Sequence, residues 1–358
     1  MSANDERYGG VECGVRRFMS NVQELGGTLV LDSPHESVEA TPQPAQSAGA
    51  LVDALRMQCK ALDLEHCVLL TGPAVLEAFA SSELDPLRRI GATVAELPLQ
   101  PDRVSRDYWP SLIELDLGHP VAHAVCESAI AMALEDWSPE GLKAAQGHRI
   151  GAFLFSSVPF ERLARHLATA FVQQRPDGAA QRLLTLADPA AFEGIWRICN
   201  PAQRDRLLGP IAVWRTLGRH GVWCEARRPE QNGRADGTAS DGQLAFDGDQ
   251  WRALADVRAI NRAWAQMRGA GKRVDQRAFA GLPASLRRAQ GYGLNDAQDI
   301  ERYALDALET GAEFDQHPRI QRLLRERPAQ QYYSRTIADL GPSDWAEIRA
   351  DLAACQRV

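Results

Sequence analysis

The sequence predicts an α/β lobe, built on a mixed sheet flanked by helices, followed by a smaller all-helical lobe. Two observations predict this fold. From Leu51 to about residue 225, short strand-like apolar runs alternate with helix-like segments. Beyond Trp251 the apolar residues recur only at helical spacing. Between the two regions, the stretch 227–248 sets glycines among polar side chains, which is typical of a connection between domains.

These patterns divide the 358 residues into four parts. We expect an N-terminal extension or linker over residues 1–50, an α/β domain over 51–225, a flexible linker over 226–249 and a helical lobe over 250–358. The extension carries a tract rich in Pro, Gln, Ser and Ala at 33–48, a composition that mobile linkers share. With 45% hydrophobic residues, the chain is long enough for each lobe to bury a core of its own.

The first lobe contains several strand candidates, each a short apolar or alternating run between turn residues. The candidates are 67–70, 91–97, 112–117, 150–155, 182–186, 211–214 and 222–224. After Pro159, a helix is predicted with Phe160, Leu163, Leu167 and Phe171 on one stripe, which should pack on a sheet face.

In the second lobe, the residue types at helix ends predict where helices begin. Asn295 is the expected N-cap of a helix that continues through Leu308, with Gln298 at the capping-box position. A last helix is expected to begin near Ser343 and to carry Trp345 and Leu352 on one face.

The overall charge and the cysteines narrow the function classes. With 47 acidic against 40 basic residues, the formal net charge is −7, so no long-range positive field attracts a phosphate backbone and no nucleic-acid partner is expected. The seven cysteines are scattered without a Cys-x-x-Cys pair, as in proteins of a reducing compartment. The N-terminal residues do not resemble a secretion signal and no apolar run approaches membrane-spanning length, so we expect a cytoplasmic protein without a membrane partner.

The segment 183–214 is the most informative stretch of the chain. A buried strand leads into a helix at Asp188 and Pro189, because Asp accepts hydrogen bonds from the first-turn N–H groups and Pro suits the first helical position. The pair Asn200-Pro201 repeats this signal for a second helix. That helix should end at Gly209 and Pro210, before a strand that reaches Trp214.

This succession of strand, Asp-Pro, helix and Leu-Leu-Gly-Pro-Ile-x-x-Trp resembles the domain of bacterial type VI secretion effector chaperones, also called adaptors. The segment 109–115 is similar to the Pro-x-Leu-hydrophobic-x-Leu strand of that family, and 151–157 is similar to its central strand before a long helix. The similarity spans about residues 51–225. The helical region resembles the smaller C-terminal lobe of longer family members.

The resemblance implies a non-catalytic protein without a cofactor. Such a protein holds a cognate toxic effector in the cytoplasm and hands it to the VgrG spike protein. Asp188, Pro189, Gly209, Pro210 and Trp214 are then residues of the family scaffold. A mobile connection between the lobes would allow them to hold a helical segment of the client between them.

Trp109, Arg322 and Arg325 are the residues that we expect at a partner contact. Aromatic and arginine side chains are common interface anchors, and arginines complement an acidic partner. The alternative interpretations are core packing for the tryptophan and a solvated helix face for the arginines.

Two other functions stay open. His119, His123 and Glu127 are spaced by four residues, so on a helix they share one face and would form a metal-binding ridge of a metal-dependent hydrolase. Against this function, Pro120 stands where zinc proteases have a glutamate. The third possibility is an immunity-like protein that binds and inhibits a toxin.

Overall fold

The computed structural model describes residues 29–30, 48–64, 67–73, 79, 81–100, 104–144, 147–175, 181–219, 221–227 and 242–355. Over these residues the chain forms a lobe with a central sheet and helices, followed by a lobe that is all helical. The predicted fold class is therefore confirmed. None of the helices in these ranges is long and apolar enough to cross a membrane.

The described strands of the first lobe fall into one large sheet and one small ribbon. The strands are β1 (Leu29–Val30), β2 (Cys67–Thr71), β3 (Val94–Glu96), β4 (Ser111–Leu115), β5 (Ile150–Ser156), β6 (Val172–Gln173), β7 (Arg182–Leu183), β8 (Ile211–Leu217) and β9 (Trp223–Arg227). The large sheet has the spatial order β1-β9-β8-β5-β2-β4-β3, and β6 pairs with β7 separately. Only the β1–β9 pair is parallel within the described residues, so the sheet is mixed.

One predicted strand is shorter than expected and lies outside the large sheet. The run 182–186 is extended only over β7, which pairs with β6. The chain then leaves the ribbon, because Asp188 N donates to Thr185 O in the turn that leads into the next helix. Leu184 and Leu186 are buried all the same, which explains their apolar character.

Helices cover both faces of the large sheet. The described helices of this lobe are α1 (Ala48–Ala61), α2 (Ser81–Arg89), α3 (Pro120–Asp136), α4 (Pro139–Ala144), α5 (Phe160–Phe171), α6 (Pro189–Ile198) and α7 (Pro201–Leu208). The central strand β5 is buried along its whole length. Because side chains alternate along a strand, Leu154 joins the core with α5 and α6, whereas Phe153 and Phe155 join the core with α1 and α3.

The second lobe buries a core of its own around Tyr303, Phe314 and Tyr333. Its described helices are α8 (Gly248–Gly269), α9 (Gln276–Gly291), α10 (Ala297–Thr310), α11 (Pro318–Glu326), α12 (Tyr333–Thr336) and α13 (Pro342–Cys355). The prediction that Asn295 caps α10 is wrong by one residue. The cap is Asp296, whose carboxylate accepts from Gln298 N and Asp299 N and also favours the positive end of the helix dipole.

The end of the predicted linker packs against the first lobe. Residues 228–241 of this linker lie outside the described residues. Beyond them, Leu244 N donates to Gln173 Oε1 at 2.7 Å, and Leu244 and Phe246 are buried in the core beside α5 and α6. The division of the chain into four domains stays a prediction, but the first core extends at least to Phe246.

Candidate partner-binding surfaces

Asp188 and Pro189 begin α6 as the sequence predicts. Asp188 Oδ1 accepts from Ala191 N at 2.9 Å, and Pro189 occupies the start of the helix. At α7, Asn200 and Gln203 bond each other's backbone N–H groups and complete a capping box. These side chains bond backbone groups at the helix starts, which is a structural task.

Gly209, Pro210 and Trp214 are also scaffold residues. Gly209 ends α7 with φ +53°, and a Cβ atom there would lie 2.2 Å from the His166 ring, so a side chain has no room. Pro210 O accepts from Ser156 Oγ at 2.8 Å, which ties this turn to β5. Trp214 is fully buried and stacks on Phe192 at 4.3 Å between ring centroids.

The two lobes meet at Arg219, in the turn between β8 and β9. Its Nε donates to Glu193 Oε2 on α6 at 3.1 Å, and its Nη2 donates to Asn261 Oδ1 on α8 at 2.8 Å. The guanidinium also lies over the rings of Trp264 on α8 and Phe279 on α9. The Arg219 side chain is only 6% exposed, and this burial lowers the pKa of its guanidinium from the ordinary value. One arginine thus bridges the sheet lobe and two helices of the helical lobe.

The junction is closely packed around this arginine. Trp137 meets Trp264 edge to face at 5.6 Å, and its Nε1 donates to Leu217 O at 2.9 Å. A Cβ atom on Gly194 of α6 would lie 2.9 Å from Val257 Cγ1 on α8, so the two helices are in direct contact. Among the described residues, side chains of the two lobes fill this junction, and a client held between the lobes stays a prediction.

Trp109 lies at the turn before β4, and its side chain is half-buried. Its Nε1 donates to Val104 O at 3.2 Å, and the ring packs against the core beside α5. The side chain of the neighbouring Tyr108 is 61% exposed, so Tyr108 is the more accessible aromatic residue of this turn. Sequence reasoning missed Tyr108, although an aromatic residue in an otherwise polar turn is a recognisable signal.

Arg322 and Arg325 are exposed on α11. Neither forms an ion pair within the described ranges, whereas Arg319 on the same helix pairs with Asp344 at 2.8 Å. Among the described residues, the two arginines thus form a cationic face without a carboxylate partner, and such a face can attract a carboxylate of another protein. Tyr332, which sequence reasoning also missed, is 58% exposed in the turn that follows α11.

His119, His123 and Glu127 do not make a metal site. His119 is the N-cap of α3, where its Nδ1 accepts from Val121 N at 3.2 Å. Across the described part of the chain, no group of three His, Cys, Asp or Glu side chains is placed to hold a metal ion. The described residues therefore give the hydrolase alternative no ligand cluster.

Residues 50–206 match the model of a family described as a domain of unknown function, DUF4123. The match begins within α1 and ends within α7, so it includes Asp188 and Pro189 and stops before Gly209. None of the curated proteins and none of the solved structures matches the chain. Over residues 50–206, this protein is thus similar to the DUF4123 family.

Proposed function

We propose that this protein is a non-catalytic adaptor of bacterial type VI secretion, which binds a cognate effector in the cytoplasm and aids its loading onto the VgrG spike. The observation that carries the proposal is the ordered resemblance to effector chaperones along about residues 51–225. The DUF4123 match over 50–206 covers most of the same stretch. The mixed sheet and the helical lobe agree with the architecture that this resemblance implies.

The packing of the lobes suggests how such an adaptor holds two partners. Tyr108 and Trp109 belong to the sheet lobe, whereas Arg322 and Arg325 belong to the helical lobe. Arg219 bonds to both lobes, so we expect the aromatic turn and the cationic face to keep a fixed distance from each other. Such an adaptor would bind each partner through a few anchor residues. A complex held by a few anchors can still dissociate, so the effector can be passed on to the spike.

A secretion assay tests the proposal in the cell. Deleting the gene should abolish delivery of the effector encoded beside it, while the producing strain grows normally and the secretion apparatus still fires. Re-expression of the full chain should restore delivery. An immunity protein would behave differently, since its loss poisons the producer. Normal effector delivery in the deletion strain would contradict the adaptor function.

A further inference from the structure

The outer edge of the large sheet is formed by β3, which pairs with β4 alone among the described strands. Glu114 N donates to Thr93 O at 2.8 Å, and Leu97 N donates to Pro110 O at 2.7 Å. Backbone groups alternate in direction along an antiparallel strand. Thr93, Ala95 and Leu97 therefore direct their backbone groups toward β4, and those of Val94 and Glu96 point away from the sheet.

These outward backbone groups have no partner within the described ranges. The sheet order ends at β3, and neither Val94 nor Glu96 has a further backbone hydrogen bond to a described residue. All three residues of β3 are partly exposed. An open strand edge of this kind can pair with an extended segment of another chain.

Two large apolar side chains, Ile90 and Tyr108, are exposed near β3. Ile90 is near the strand in sequence, and Tyr108 belongs to a turn that contacts the strand. Ile90, which is 41% exposed, lies just before β3. At the other end, the ion pair between Arg106 Nε and Glu96 Oε2 at 2.6 Å holds the turn of Tyr108 beside the strand. An apolar side chain near each end can supply contacts that backbone pairing alone lacks.

We infer that the β3 edge binds an extended segment of the cognate effector as an added strand. The inference rests on the proposed function and names the surface that it uses. The opposite edge of the sheet already accepts a short segment in this way, since Leu29 and Val30 pair with β9 from the N-terminal extension. The added strand is recognised through its own N–H and C=O groups, which bond those of Val94 and Glu96.

A second copy of this chain is a poorer occupant of the edge. The strand has 3 residues and spans roughly 10 Å, whereas a stable interface buries about 1,200–2,000 Å² in total. So short a pairing cannot hold two folded proteins together by itself. A segment of an effector that is bound elsewhere on the adaptor needs only a short pairing, because its local concentration is high.

Hydrogen exchange resolved to single amides, on the full-length protein with and without the purified effector, tests the inference. We expect the Val94 and Glu96 amides to exchange at least about tenfold more slowly in the complex. The Ala95 amide already faces β4 and should change little. A complex that forms while the Val94 and Glu96 amides exchange as before would overturn the inference but leave the adaptor function standing. Protection of these amides in the protein alone, together with a dimer in solution, would overturn it in favour of a second copy.

Substitutions at Val94 distinguish binding through the backbone N–H from binding through the side chain. Val94→Pro removes the outward N–H and leaves the bonds to β4 in place, so it is compatible with an edge strand. Val94→Thr keeps the N–H and serves as the matched control. The proline variant should bind the effector about tenfold more weakly, with an unchanged melting temperature for both variants. Equal affinity of the two variants would overturn the inference, and failure of the wild-type protein to bind the effector at all would overturn the proposed function with it.

Discussion

The guanidinium carbon of Arg219 lies 5.3 Å from the centre of the Trp264 ring, and this contact joins the sheet lobe to the helical lobe. The same guanidinium is bonded to Glu193 and Asn261. A charge that is buried between two lobes is stable only while both lobes supply its partners. The junction is therefore a property of the whole chain, and the two lobes should unfold as coupled units.

Replacing Arg219 by Met should lower the free energy of unfolding by about 3 kcal/mol, because Glu193 and Asn261 both lose a buried partner and Glu193 keeps only the exposed Arg197. Arg197→Met is the matched control, since Arg197 pairs with the same carboxylate but its side chain is 59% exposed. The control should cost less than about 1 kcal/mol. Urea unfolding followed by fluorescence measures both losses, and equal losses would refute the bridging role of Arg219.

Gly209→Ala should destabilise the protein far more than Gly91→Ala. Both glycines have positive φ, at +53° and +85°. A methyl group on Gly91 has open space around it, so only backbone strain of about 1 kcal/mol is expected. At Gly209 the backbone has ψ −112°, which is less favourable for a residue with a side chain, and the His166 ring must also move; together these bring the expected loss to about 3 kcal/mol. Urea midpoints give the comparison, and similar shifts for the two variants would show that His166 does not constrain this turn.

Asp256 should make the stability depend on pH in a defined direction. Burial raises the pKa of this carboxyl to about 6, although Gln290 Nε2 donates to it at 3.3 Å. The folded protein then binds the proton more tightly than the unfolded chain, so this group's contribution to stability falls as the pH rises from about 4 to about 6. Asp256→Asn removes that loss.

The variant should therefore match the wild type near pH 4 and exceed it at pH 7.5 by on the order of 2 kcal/mol. Chemical denaturation at both pH values measures the difference. A variant that is less stable than the wild type at pH 7.5 would show that Asp256 is stabilised as the ionised group.

Charge reversal at Arg322 or Arg325 should weaken binding of an acidic partner by about fivefold. Neither side chain pairs with a described residue, so the folded state should lose almost no stability. Arg277→Glu makes the same charge change at an exposed arginine of α9 and serves as the control. Titrations with effector and with spike protein at two salt concentrations measure the effect. Equal weakening by all three variants would indicate a general charge effect and no local contact.

Local sequence signals predicted the elements whose ends are set by their own residues. Asp188 begins α6 and Gly209 ends α7 because the caps act within one turn of the chain. Such signals identify long-range partners poorly. Arg219 stands in a polar turn, and only the approach of α6, α8 and α9 buries it. For the same reason Leu244, within a stretch whose composition predicts a linker, is buried in the first core and bonded to the distant Gln173.

The sequence predicted one candidate surface better than the other. Sequence composition singled out Arg322 and Arg325, and the structure leaves both exposed. The residue type of Trp109 predicts an interface anchor, but its neighbour Tyr108 is the exposed aromatic. An aromatic residue in a polar turn is a recognisable signal, but which of two adjacent aromatic side chains faces solvent depends on how the turn packs on the core.

Co-purification tests the adaptor function most directly. The full-length protein would be expressed with the effector and the VgrG protein encoded beside its gene, and each would be purified through a tag on this chain. We expect a stable complex with the effector, and transfer of that effector to the spike when VgrG is added. If the protein unfolds cooperatively, and is therefore folded, but recovers neither partner, that result would contradict the adaptor function.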